Sequence, residues 1–183
     1  MEEKLQQPTL GSSRVCRWLG HLWREWTVES SRPIAPAFAK PEPAKWIDIV
    51  ALPVNHWGAR RQRDTYRGYN GYLLERHDRR ILFSGDTAFT NGFAELRKHG
   101  RVDFAIVSIG AYNPWIRSHA TPEQAIEMAN AAGAKFIMPV HHQTFRRSFE
   151  PFREPIEPFE AALRTQPEHI ALREIGETFV LPL

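Results

Sequence analysis

From Trp46 onward, short apolar runs alternate with amphipathic segments. "WIDIVALPV" has the β-branched character of a strand. "NGYLLERHDRRILFSGD" holds two apolar runs parted by the polar residues His77 to Arg79, which predicts two antiparallel strands joined by a turn. "NGFAELRKHG" predicts a short helix stopped by Gly100. "VDFAIVSIG" is apolar without alternation, the pattern of a strand covered on both faces. In "TPEQAIEMANAAG", Thr121 can cap a helix, Pro122 suits its first turn, Glu123 favours its positive end and Gly133 ends it. "AKFIMPV" predicts another buried strand, residues 155 to 165 a helix, and "ETFVLPL" a closing strand. Strands alternating with helices imply a layered α/β domain.

Residues 1–45 follow another pattern. Val15, Leu19, Leu22 and Trp26 recur at helical spacing, with Arg14, Arg17 and Arg24 nearby. "SSRPIAPAFAKPEPAK" is Pro-rich and predicts an extended arm. The expected organisation is therefore an arm over 1–45 and one domain over 46–183. Segment 14–26, basic and Trp-bearing, suits peripheral contact with a lipid surface; the plainer reading packs it on the fold.

Composition narrows the function classes. With 183 residues, 42% hydrophobic and 25% charged, the chain can bury a globular core. The net charge of +3 comes largely from scattered arginines, so no nucleic-acid partner is expected. A single cysteine, Cys16, excludes a disulfide framework and a Cys-based zinc module. No run of about 18 apolar residues predicts a membrane-spanning helix, and no signal-peptide apolar region is seen at the start. A cytoplasmic, reducing location is the expectation.

Polar residues collect where the apolar runs stop. "IVALPVNHW" ends at His56, "ILFSGD" at Asp86, and "KFIMPVHH" at His141 and His142. Ligands bind beyond the carboxyl ends of strands in layered α/β sheets. Histidine with carboxylate is a common zinc shell, and an Asp can bridge two ions. Each residue also has a plainer reading. Asp86 in "GDT" can cap a turn, and His56 beside Trp57 can be a packed, hydrogen-bonded histidine. Only their conjunction favours a metal. Neighbours along a strand point opposite ways, so at most one of His141 and His142 faces a given site. His119, in "RSHATPEQ" before the capped helix, can donate a proton or bind an anion, or simply hydrogen-bond the cap. His21, His77, His99 and His169 sit in polar or turn contexts and read as surface residues.

Together "LPVNHWGAR", "DTYRGYNGYLLE", "ILFSGDTA", "SIGAYNPW", "HATPEQA" and "PVHHQTF" resemble the metallo-β-lactamase fold family, in the branch of N-acylphosphatidylethanolamine-hydrolysing phospholipase D. The resemblance implies a four-layer αββα sandwich with a dinuclear site, usually zinc, between the sheets. It implies hydrolysis of a phosphodiester, lactone or related bond by a metal-bound hydroxide. By motif, His56 resembles a histidine ligand of the first metal, Asp86 the bridging aspartate, and His141 the last histidine, on the second metal. Thr144 fixes the register that selects His141 over His142. His119 resembles a loop histidine near the reacting group.

The family's H-x-H-x-D-H signature is absent: none of the eight histidines forms an H-x-H pair. The segment "AKPEPAKWID" resembles the family's lead-in to its first strand, and the arm before it resembles this branch's leader. The expectation is thus a partial αββα sandwich, mainly the C-terminal half, joined to its leader near residues 47 to 50. It would hold an incomplete zinc site and be impaired as a hydrolase. The alternative is a non-catalytic remnant or interaction subunit that completes its sheet with another chain, a homo-oligomer included. A small-molecule or lipid-like substrate is expected, and Arg117, Arg146 and Arg147 can favour an anionic group, although surface solvation is the plainer reading for most of them.

Overall fold

The computed structural model describes residues 47–57, 69–146, 148–173 and 176–182. The amphipathic segment 14–26, the Pro-rich arm and Arg147 lie outside the described residues.

Strands β1 (Asp48–Pro53), β2 (Asn70–Arg76), β3 (Arg79–Phe83), β4 (Phe104–Ser108) and β5 (Phe136–Val140) form one sheet in sequence order. β1, β2 and β3 pair antiparallel, and β3, β4 and β5 pair parallel. A 3₁₀ helix, Gly92–His99, connects β3 to β4, and helix α1 (Pro122–Ala131) connects β4 to β5. α2 (Ile156–Ala162) packs on α1. The topology has one consequence for function. β1 runs the same way as β3, β4 and β5, so the chain leaves all four strands at the same edge of the sheet.

The elements form for the reasons the pattern suggests. Thr121 accepts the Gln124 backbone N–H, and the Gln124 side chain accepts that of Thr121, so two orphan donors of α1 are satisfied reciprocally. Arg80 holds the end of the 3₁₀ helix by donating to the carbonyls of Leu96 and Gly100, with Glu75 accepting its Nε–H at 2.7 Å.

Side chains alternate across the sheet. One face carries the row Val50, Leu73, Leu82, Ala105 and Ile137, which packs with Phe93 and Leu96 of the 3₁₀ helix, with Ala125, Met128 and Ala129 of α1, and with Phe159 of α2. The opposite face carries Ala51, Tyr72, Phe83, Ile106 and Met138 in one row, and Ile49, Leu74, Ile81, Phe104 and Phe136 in the next. Phe179 lies against Phe104 and Phe136 there. This second face is apolar yet mostly half-buried, and Phe83 is 37% exposed. β4, expected to be covered on both faces, is buried except at Ile106, which is half-buried on this side.

One expected element is corrected. "ETFVLPL" forms no strand: its described residues run irregularly, and Val180 is 80% exposed. The outer edge of β5 is already engaged by Ile170, whose neighbour Ala171 donates to the Ile137 carbonyl at 3.0 Å. Pro182 also lacks the N–H that a ladder needs.

Candidate metal centre

The shared sheet edge gathers the polar residues expected at strand ends. His56 follows β1, Asp86 follows β3, His119 lies in the loop after β4, and His141 follows β5. Gly85 turns the chain at the end of β3 with φ +60°, where a Cβ would come within 2.7 Å of the Asn70 carbonyl. Only glycine fits there, and the turn delivers Asp86 to the edge.

Thr87, 1% exposed, ties three of these loops together. Its Oγ1 accepts the Asn55 backbone N–H at 2.9 Å, and its carbonyl accepts that of Ala120 at 2.8 Å. The Ala88 N–H returns to the Asn55 carbonyl at 2.8 Å. Asn55 precedes His56, and Ala120 follows His119, so one threonine sets the backbone beside three candidate residues. Glu150 does the same for the fourth loop. Its buried carboxylate accepts the N–H groups of Ala111 at 2.6 Å and Asn113 at 3.2 Å. Gly110, next to Ala111, sits against the His141 carbonyl so closely that a Cβ would lie 2.1 Å from it. Sequence reasoning missed both Thr87 and Glu150. The "GDT" triplet was the available signal for the first; the second had none, because its partners are 37 and 39 residues away.

Donor atoms of His56, Asp86 and His119 all lie within 4.8 Å of one another. His141 Nε2 stands 3.7 Å from Asp86 Oδ2, and its ring stacks on that of His119 at 5.3 Å. Its Nδ1 faces the Gly110 carbonyl at 3.4 Å. Asp86 thus lies close to His56, His119 and His141, and its carboxylate caps no turn among the described residues. His56 carries features of both its readings. Its Nδ1 is 2.9 Å from the Trp57 carbonyl and its ring stacks on Trp57, while its Nε2 is buried without a hydrogen-bond partner. His119 is 4% exposed, and its Nδ1 is likewise without a partner. A buried unpaired ring nitrogen is costly unless something meets it. Two histidines with such atoms, each bringing a ring nitrogen within 4.8 Å of an Asp86 oxygen, suit a zinc-like cation, which takes neutral imidazole nitrogen and carboxylate oxygen.

Burial lowers the His119 pKa to about 4, outweighing the Asp86 carboxylate, which pulls the other way. Its imidazole is therefore neutral at pH 7, the form that ligates a metal. His142 is not among the donors that meet there, although it lines the same cavity as Asp86 and His141. Burial lowers its pKa also, and its Nδ1 is buried without a partner. A cavity of about 460 Å³ opens beside the cluster, lined among others by Asp86, His141, His142, Phe145, Arg146 and Phe152. Arg146 thus reaches the cavity wall, whereas Arg117 is solvent-exposed.

The family model of the beta-lactamase superfamily domain matches residues 17–142, more than half of the chain. The chain belongs to that family. It is 29% identical to an uncharacterised protein of Mycobacterium tuberculosis over 154 residues, covering 81% of this chain and 41% of that protein. It is 34% identical to N-acyl-phosphatidylethanolamine-hydrolyzing phospholipase D 1 of Caenorhabditis elegans over 107 residues, covering 55% of this chain and 30% of that one. It therefore spans roughly a third to two fifths of the length of these relatives. Among solved structures, an isothiocyanate hydrolase from Delia radicum gut bacteria superposes with a TM-score of 0.57 at 16% identity, covering 75% of this chain and 56% of that one. With this likeness, the mixed sheet and its single described helical layer are a partial metallo-β-lactamase fold, the α/β class expected from the sequence. The superfamily's hydrolase fold and a group of side chains able to hold a metal are thus both present. No described helix is long and apolar enough to cross a membrane.

Proposed function

We propose that the chain is a metal-dependent hydrolase acting on a phosphodiester or lactone-type bond, with zinc as its metal. The observation that carries this reading is the meeting of His56, Asp86 and His119 donors within 4.8 Å at one sheet edge. The resemblance gives His56, Asp86 and His141 as metal ligands and sets His119 beside the reacting group. A bound zinc would supply Lewis acidity and an activated water. The chain supplies the rest. Asp86 is aimed by the Gly85 turn and brings carboxylate oxygens to the edge. His119, neutral at pH 7, offers one N–H and one lone pair to whatever it faces. The cavity offers the aromatic rings of Phe145 and Phe152 with the Arg146 guanidinium, which suits a small or lipid-like substrate bearing an anionic group. With no H-x-H-x-D-H segment in this sequence, the site has fewer ligands than the family pattern, and the proposed activity is correspondingly reduced. A reducing cytoplasmic location suits a chain with one cysteine.

The test is metal content by elemental analysis of the purified chain after size-exclusion separation, together with hydrolysis of a nitrophenyl phosphodiester. The reading expects bound zinc that Asp86→Ala removes and His142→Ala leaves in place, with hydrolysis following metal content. Equal zinc in wild type and Asp86→Ala protein would refute it.

A further inference from the structure

We infer that His119, not His141, completes a single-ion site with His56 and Asp86. The inference rests on the metal-dependent reading above and changes the role of one residue within it.

Three protein donors with one open position are what a catalytic zinc normally takes. Ligand bonds of about 2.0–2.2 Å place tetrahedral donors about 3.4 Å apart, so donors within a few ångströms of one another can close on one ion by side-chain rotation. His56, Asp86 and His119 meet that condition, and His141 is outside the set. Outside that set, His141 at 3.7 Å is the remaining group near Asp86 among the described residues. Two donors are too few for a second ion of this kind.

Packing supports the same choice. His119 is 4% exposed and its Nδ1 has no partner, so the fold spends burial on a ring whose polar atom is unmet. The ring is clamped by its stack on His141 and by edge contacts with His56 at 5.1 Å and Trp57 at 5.7 Å. Its backbone is fixed by Ala120 donating to Thr87 and by its own N–H donating to the Trp115 carbonyl at 2.9 Å. A ligand held this firmly loses little freedom on binding. His141 is different. Its side chain is 28% exposed, its Nδ1 faces the Gly110 carbonyl, and its Nε2 approaches Asp86. That is the arrangement of an outer partner that orients a ligating carboxylate.

The experiment adds Co(II) to the chelator-stripped full chain and follows visible absorption and ions bound per chain. The expected result is one ion per chain in wild type, no stoichiometric ion in His56→Ala, Asp86→Ala and His119→Ala, and one ion still bound, about 10–100-fold more weakly, in His141→Ala, whose ring only orients the ligands. Loss of binding in His141→Ala with retention in His119→Ala overturns the inference while leaving the metal reading intact. Two ions per wild-type chain also overturn it. No Co(II) or zinc bound by wild type overturns the metal reading itself. Because His119→Ala opens a buried cavity and can unfold the chain, a second measurement uses wild type alone. With ¹⁵N-labelled histidine, one equivalent of zinc should move the ring nitrogens of His56 and His119 to metal-bound shifts and leave those of His141 outside that range. A metal-bound shift at His141 with none at His119 refutes the inference without any substitution.

Discussion

The Thr87 hydroxyl accepts the Asn55 backbone N–H at 2.9 Å, although the two residues are 32 positions apart. The bond is part-buried, with Thr87 buried and Asn55 exposed, and lies one residue from both His56 and Asp86. Thr87→Val keeps the shape of the side chain but leaves the Asn55 N–H without its acceptor. A fully buried orphaned donor costs about 1–3 kcal/mol, and one that water can partly reach costs at the low end of that, about 1 kcal/mol. Denaturant unfolding of the chelator-treated chain should show a loss of that size. A Thr87→Val chain as stable as wild type would mean that the hydroxyl does not hold the two loops together.

Gly110 meets the carbonyl of His141 so closely that no side chain fits between them. Gly110→Ala must push the His141 loop outward or strain the end of β5. Forced overpacking of this kind costs about 1–3 kcal/mol. The expected outcome is lower unfolding stability together with a changed ring environment for His141 in histidine NMR spectra. Unchanged spectra and stability would show that the loops do not pack this way in solution.

Much of this arrangement was legible in the sequence, and the exceptions share a cause. β1, the β2–β3 pair, β4, α1 and β5 were readable because period, turn residues and the Thr121 cap all agreed locally. The strand-end positions of His56, Asp86 and His141 followed from those elements. What the sequence did not show was how the loops close on one another. The nearness of His119 to His56 depends on Ala120 donating to Thr87, a bond between segments 33 residues apart by their numbers. The support of Glu150 for the Ala111 loop is of the same non-local kind. The expected closing strand failed for a tertiary reason, since Ile170 had already met the free edge of β5.

His119 has a pKa of about 4 in the fold, against about 6.5 for an unperturbed histidine. The unfolded chain therefore binds the extra proton first as pH falls. Stability contributed by the neutral, buried ring is present above about pH 6.5 and is lost as pH drops toward 4. The full loss is on the order of 3 kcal/mol. In chelator, the stability of wild type should fall between pH 7 and pH 4.5 more steeply than that of His119→Gln, which cannot titrate there. Parallel curves for the two proteins would show that His119 is not held neutral by burial.

The sheet face opposite the helices carries two five-residue apolar rows, Ala51, Tyr72, Phe83, Ile106, Met138 and Ile49, Leu74, Ile81, Phe104, Phe136. Large contiguous apolar surface left open on a folded chain marks a place for association. Among the described residues, Phe179 shields one end of the face, near Phe104 and Phe136, while Phe83 at the centre remains 37% exposed. Two copies laid face to face would bury these rows against each other at the usual sheet-to-sheet distance of about 10 Å. The chain should therefore sediment as a concentration-dependent dimer or larger species. Phe83→Asp places a charge in the middle of the face, where burial without a partner is costly, and should shift the population toward monomer without altering the helix-covered core. The pair of sedimentation-velocity series decides it: a monomer at every concentration in wild type, or an association that Phe83→Asp leaves untouched, would mean that this face is not where copies of the chain meet.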